Sequence, residues 1–99
     1  MSIFDAFSFK KEANKVFTRE NFTHVLGVAR VAIVEQAKTN YSGAEKKFNV
    51  DEKVIATVRV LKDSCKNNWI KWVLDRVIDA IPAITQLIYD FLKEKIENL

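Results

Sequence analysis

The 99-residue chain has only two glycines, one proline and one cysteine. Each scarcity removes a class of protein. Sandwiches and barrels of β-strands need a turn signal roughly every 8–12 residues, which three Gly and Pro residues cannot supply. The same count leaves no glycine-rich phosphate cradle. Cys65, being alone, can form neither an intramolecular disulfide nor a CxxC redox pair, and a four-cysteine zinc site is out of reach. A reducing compartment is the simpler expectation. Long apolar runs are missing as well. A bilayer span takes roughly 20 consecutive apolar residues. The longest uncharged segment, Ala80 to Tyr89, is about half that length, and it contains Pro82, Thr85 and Gln86. The start, Met1-Ser2-Ile3-Phe4-Asp5, lacks the basic flank and apolar stretch of a signal peptide. A cytoplasmic chain without a membrane span is therefore expected.

Apolar residues make up 48% and charged residues 29%, the balance of a chain with one ordinary core rather than of a disordered tail. The net charge of +3 is dispersed: +2 over residues 1–33, +2 over 34–66 and −1 over 67–99. Nucleic-acid binders concentrate Lys and Arg on one face, whereas most basic residues here have an acidic neighbour. Should nucleic acid be the partner after all, Lys46, Lys47, Lys53 and Arg59 would carry it, with Lys10, Lys11 and Lys15 nearby.

Helical periodicity runs through the chain. Ser8 is placed to cap a first helix carrying Phe9, Ala13, Val16 and Phe17, with Ser2 to Asp5 a shorter turn before it. Thr18 caps a second, with Phe22, Val25, Leu26, Ala29, Ile33 and Ala37 in a stripe that ends near Lys38. Val28, Val31 and Val34 lie off that stripe, so this helix reads as apolar around most of its circumference and central in a bundle. Ser42-Gly43-Ala44-Glu45 has the spacing of a capping box and starts a third helix with Phe48, Val54 or Ile55, Val58, Leu61 and Cys65. Asn49 to Glu52 repeats that spacing and offers a second start. Asn67 or Asn68 caps the next helix, in which Ile70, Val73, Leu74, Val77, Ile78 and Ile81 share one arc. Pro82 predicts a kink or a fresh start. Beyond it Ile84, Leu87, Ile88, Phe91 and Leu92 form a stripe.

Candidates for chemistry are few. His24, the only histidine, has Glu20 as its one local partner, and acid–base or metal work needs more groups than that. Cys65 lies between Lys62 and Lys66, which would favour a thiolate, yet a lone cysteine ending an apolar stripe is more often a small core residue. The pairs Asp51-Glu52 and Asp75 with Asp79 read as solvated faces. No cofactor, metal or small-molecule substrate is called for, and an enzyme is the least supported class. Trp72 is harder to place. At about 100° per residue it falls among Lys71, Asp75 and Asp79, away from the stripe of its own helix, with Trp69 at the edge. Either the Phe-rich N-terminal segment covers it, or Trp69, Trp72 and Arg76 form a partner-binding surface, Trp and Arg being the residues that dominate interface hot spots.

The stretch Ala29 to Lys47, reading A-R-V-A-I-V-E-Q-A-K-T-N-Y-S-G-A-E-K-K, resembles the soluble helical portion of phage holins of the LL-H type. Those proteins have a similar Ala/Val helix ending in Glu-Gln, a short loop with Gly and a restart on Glu-Lys-Lys. The resemblance covers about a fifth of the chain. It does not extend to their N-terminal membrane span, because Ser2 to Asn21 is polar and dotted with Phe. What it implies is phage or prophage origin and a small helical protein that works by association, not a pore.

The expectation is thus an all-α single domain over residues 1–99, an irregular bundle of four to six short helices around the Val25–Val34 helix. Its function is expected to be non-catalytic association with a protein partner or with itself. The alternatives are a nucleic-acid-binding domain and a membrane-surface or lysis-associated accessory protein using the Phe-rich N-terminus. Replacing the cap by Ser42→Ala should cost about 1 kcal/mol of stability in chemical denaturation. A change within error of zero would mean that the third helix gains nothing from this hydroxyl.

Overall fold

The computed structural model describes residues 3–97, with side chains from 10 to 93. It contains four α-helices: α1 (Ile3–Val16), α2 (Arg19–Ala37), α3 (Gly43–Asp63) and α4 (Asn68–Glu97). No strand occurs among the described residues. The expected caps at Thr18, Ser42 and Asn67 form. Thr18 accepts the Asn21 amide at 3.0 Å and Ser42 the Glu45 amide at 3.2 Å. Asn67 Oδ1 accepts from the amides of Trp69 and Ile70 at 2.8 and 3.3 Å. Side-chain oxygens at these sites satisfy amides that have no partner within the helix.

The internal breaks do not form. α1 runs unbroken from Ile3, so Ser8 starts no helix, and the proposed Ser2 cap lies outside the described residues. α3 runs through Asn49 to Glu52, and α4 through Pro82 for 30 residues. The helices are therefore four and longer than expected. A proline inside a helix costs about 3 kcal/mol or more. Continuity is kept here because both flanks of Pro82 are held in the bundle. The whole body measures 52 × 22 × 18 Å. At a rise of about 1.5 Å per residue, α4 is roughly 45 Å long and sets the long axis.

The core is shared rather than centred on α2. Ala29, Ala32 and Ile33 of α2 meet Val50, Val54 and Val58 of α3 and Ile70, Leu74 and Ile81 of α4, with Val16 of α1 closing one end. The small alanines let α2 approach closely, and one face suffices for that. Its opposite side, with Val31 and Val34, is exposed. Phe22 and Phe48, placed by periodicity in buried stripes, are exposed too. Polar pairs lock the helices at their rims: Asn49 Nδ2 donates to Gln36 Oε1 at 3.0 Å, Lys53 pairs with Glu35 at 3.0 Å and Lys62 with Asp75 at 2.6 Å.

The most connected polar group is Lys47. Its Nζ donates to both Asp51 oxygens (3.0 and 2.9 Å), to the Pro82 carbonyl (2.7 Å) and to Thr85 Oγ1 (3.0 Å). The Thr85 hydroxyl in turn bonds to Asp51 Oδ1, and Thr85 is 1% exposed. Asp51→Ala would leave a largely covered ammonium without its anion. A fully buried pair broken this way loses about 3–5 kcal/mol; since Lys47 keeps some solvent contact, about 2 kcal/mol is expected in urea denaturation. The Lys47→Met/Asp51→Ala double variant should recover at least half of it. A single-variant loss under about 0.5 kcal/mol would show that the cluster does not clamp α3 to α4.

Glu12 ties α1 to the start of α4, beside the apolar contact of Val16. The Glu12 carboxylate accepts the amides of Lys66 (2.5 Å) and Asn67 (2.9 Å), just ahead of α4. Burial alone would push its carboxyl up, but these two amides, the Cys65 thiol and the Lys71 charge together hold it below the ordinary glutamate value. A depressed carboxyl contributes stability that is complete above the unfolded value, about 4.3, and is lost as pH falls through the folded one. Melting temperature should therefore fall in acid more steeply for the native chain than for Glu12→Gln. Parallel profiles for the two below about pH 5 would mean that Glu12 contributes nothing to the acid response.

Candidate association surface

On α4 the buried line is Ile70, Leu74, Ile81 and Thr85, continued by the half-buried Ile88 and Leu92. At about 100° per residue, Ile84, Leu87 and Phe91 fall roughly 100° around from that line. They are exposed, Leu87 at 70%, so the single distal stripe read from the sequence is two faces, one packed and one open. Toward the N-terminal end the open face is continued by Trp69 and Trp72, 50% and 56% exposed. Trp72 is therefore not a covered ring. The side chains of Phe4, Phe7 and Phe9 lie outside the described residues, and Phe17 is itself half exposed.

The aromatic end is ordered by its own contacts. The two indoles meet edge to face, centroids 6.5 Å apart and planes at 73°, the arrangement that ring quadrupoles favour. The Arg76 guanidinium lies 6.0 Å from the Trp72 ring centroid and its Nη2 bonds Asp79 Oδ2 at 2.9 Å. Arg76 is thus held against the ring on one side and by a carboxylate on the other. The three residues singled out by helical phase come together, whereas Ile84 and Leu87 were missed. Nothing in the hydrophobic pattern marks them as outward, because the residue that displaces them from the core is the polar Thr85.

The basic candidates do not gather into one patch. Lys47 is committed to Asp51, and Lys53 to Glu35. Lys46 lines a cleft of about 310 Å³ with Ile33, Gln36, Tyr89 and Lys93. Arg59 is exposed. At about 100° per residue it lies roughly a third of a turn or more around α3 from Lys53. A second, more apolar cleft of about 450 Å³ lies where α1 meets α2, lined by Phe17, Phe22, Val25, Leu61 and Val77.

Reactive groups are equally sparse. His24 is exposed beside an exposed Glu20. No group of three His, Cys, Asp or Glu among the described residues is placed to hold a metal ion. Cys65 is buried, its thiol donating to the Leu61 carbonyl at 3.1 Å. Burial and the facing Glu12 carboxylate push the thiol up, so the thiolate that flanking lysines suggested is disfavoured, and Lys62 is instead engaged by Asp75. No described helix is long and apolar enough to cross a membrane. In comparison with known proteins, no family model, curated protein or solved structure matches this chain.

Proposed function

We propose that the protein is a non-catalytic helical association module that binds protein through the outer face of α4, with Trp69, Trp72 and Arg76 as its anchor. The observation that carries this reading is the pair of half-exposed indoles fixed to each other and to a guanidinium. Large rings held in one geometry lose little entropy on binding, and Trp and Arg are the side chains most enriched at energetic centres of interfaces. The resemblance of Ala29 to Lys47 to LL-H-type holins supports a phage-encoded protein, and the lone cysteine supports a cytoplasmic one.

The test is Trp72→Ala. An anchor contributes to association and little to the monomer, so stability should change by less than about 1 kcal/mol while association weakens by about 2 kcal/mol, some thirtyfold. Thermal melts beside sedimentation and pull-down measure the two. A covered core ring would behave oppositely, with a loss of about 3–5 kcal/mol in folding and unchanged association, and that result would remove the reading.

A further inference from the structure

We propose that the occupant of this face is a second copy of the chain, docked α4 against α4 in antiparallel orientation. The inference rests on the association reading above and names its partner. At about 100° per residue Trp69, Ala80, Ile84 and Leu87 fall within an arc of roughly 60°, with Arg76 and Trp72 along one edge. Their spacing is self-complementary about the level of Ile78. Trp69 and Leu87 each lie nine residues from it, Trp72 and Ile84 six, Arg76 and Ala80 two. A two-fold axis there sets Trp69 against Leu87 of the other copy at the centre of the face and each guanidinium against an alanine that leaves room for it, with Trp72 at the edge.

Charge fits the same register. Between residues 68 and 93 α4 carries Lys71, Arg76 and Lys93 against Asp75, Asp79 and Asp90. The antiparallel pairing brings Arg76 next to Asp79 of the other copy, adding to the bond it already makes to its own. The same register sets the two Asp79 carboxylates about 3 Å apart along the axis, each countered by its own Arg76 and by that of the other copy. A lipid or nucleic-acid surface would call for a cationic border, and this balanced one supplies none. Trp69, Trp72, Ile84 and Leu87 are each between 39% and 70% exposed. Together those exposed parts offer on the order of 500 Å² per copy, so two copies reach the level of about 1,000 Å² at which specific interfaces begin.

Sedimentation of the full chain across micromolar to submillimolar concentration should show a monomer–dimer equilibrium. Leu87→Glu should weaken it by about thirtyfold or more with an unchanged melt, as expected for a central contact. In a Cys65→Ala background, Ala80→Cys should couple to itself through a short thiol cross-linker. Trp69→Cys should not couple to itself, but should couple to Leu87→Cys when the two are mixed. A monomer at every concentration overturns the dimer, as does self-coupling at position 69 with none at 80. So does a monomer that co-sediments with phosphatidylcholine–phosphatidylglycerol vesicles. A monomer that retains another protein in a Trp72-dependent way overturns the dimer while leaving the association reading in place; Trp72→Ala without effect on any association removes both.

Discussion

The ammonium of Lys47, held between Asp51, Thr85 and the Pro82 carbonyl, fixes which side of α4 faces the bundle. Beyond Pro82 hydrophobicity alone does not. There α4 has one apolar line through Ile88 and Leu92 and another through Ile84, Leu87 and Phe91, roughly 100° apart, and either could serve as a core face. Rotating the helix to bury the second would carry Thr85 out to solvent and strip the Lys47–Asp51 pair of the Thr85 hydroxyl that it bonds. Covering an ion pair without such added hydrogen bonds is costly. The cluster thus acts less as a source of net stability than as a choice between two packings of the part of α4 beyond Pro82.

That choice creates the surface. Once Thr85 is inside, Ile84 and Leu87 must be outside, and they extend the row that Trp69 and Trp72 begin. The elongated body strengthens the effect, because a helix of 30 residues is longer than the helices of 19 and 21 residues that pack along it. Helix pairing against an external partner is the direct way to bury such a face. Its ordered indoles give that pairing a fixed starting geometry.

What could be read from the sequence was what depends on neighbouring residues. The caps at Thr18, Ser42 and Asn67 are local bonds between a side chain and an amide two or three residues on, so residue type and spacing suffice to find them. The outward position of Trp72 followed from helical phase within one segment. What could not be read depends on contacts between distant segments. Asn49 to Glu52 has the spacing of a cap, but Asp51 is used by Lys47 and Thr85 and leaves the helix intact. Pro82 looks like a terminus until α3 is packed against its carbonyl. The β-branched density of α2 suggests a buried rod, although three small or branched residues on one side are enough for its neighbours and leave Val31 and Val34 to solvent.

The same distinction explains why some of the basic residues are not free to form a patch. Lys47, Lys53 and Lys62 are each held by a carboxylate, two of them bridging one helix to the next. Glu12 is taken up by the amides just ahead of α4, which adds a polar link between α1 and α4. These charges are structural and position the helices. The outer face of α4 differs in kind: its aromatic and aliphatic side chains are left open by the fold, and its one ordered cation, Arg76, is stacked on an indole rather than used to join two helices. A surface left over by the folding requirements, with its own internal order, can change to suit a partner without disturbing the core, and that independence is what recognition needs.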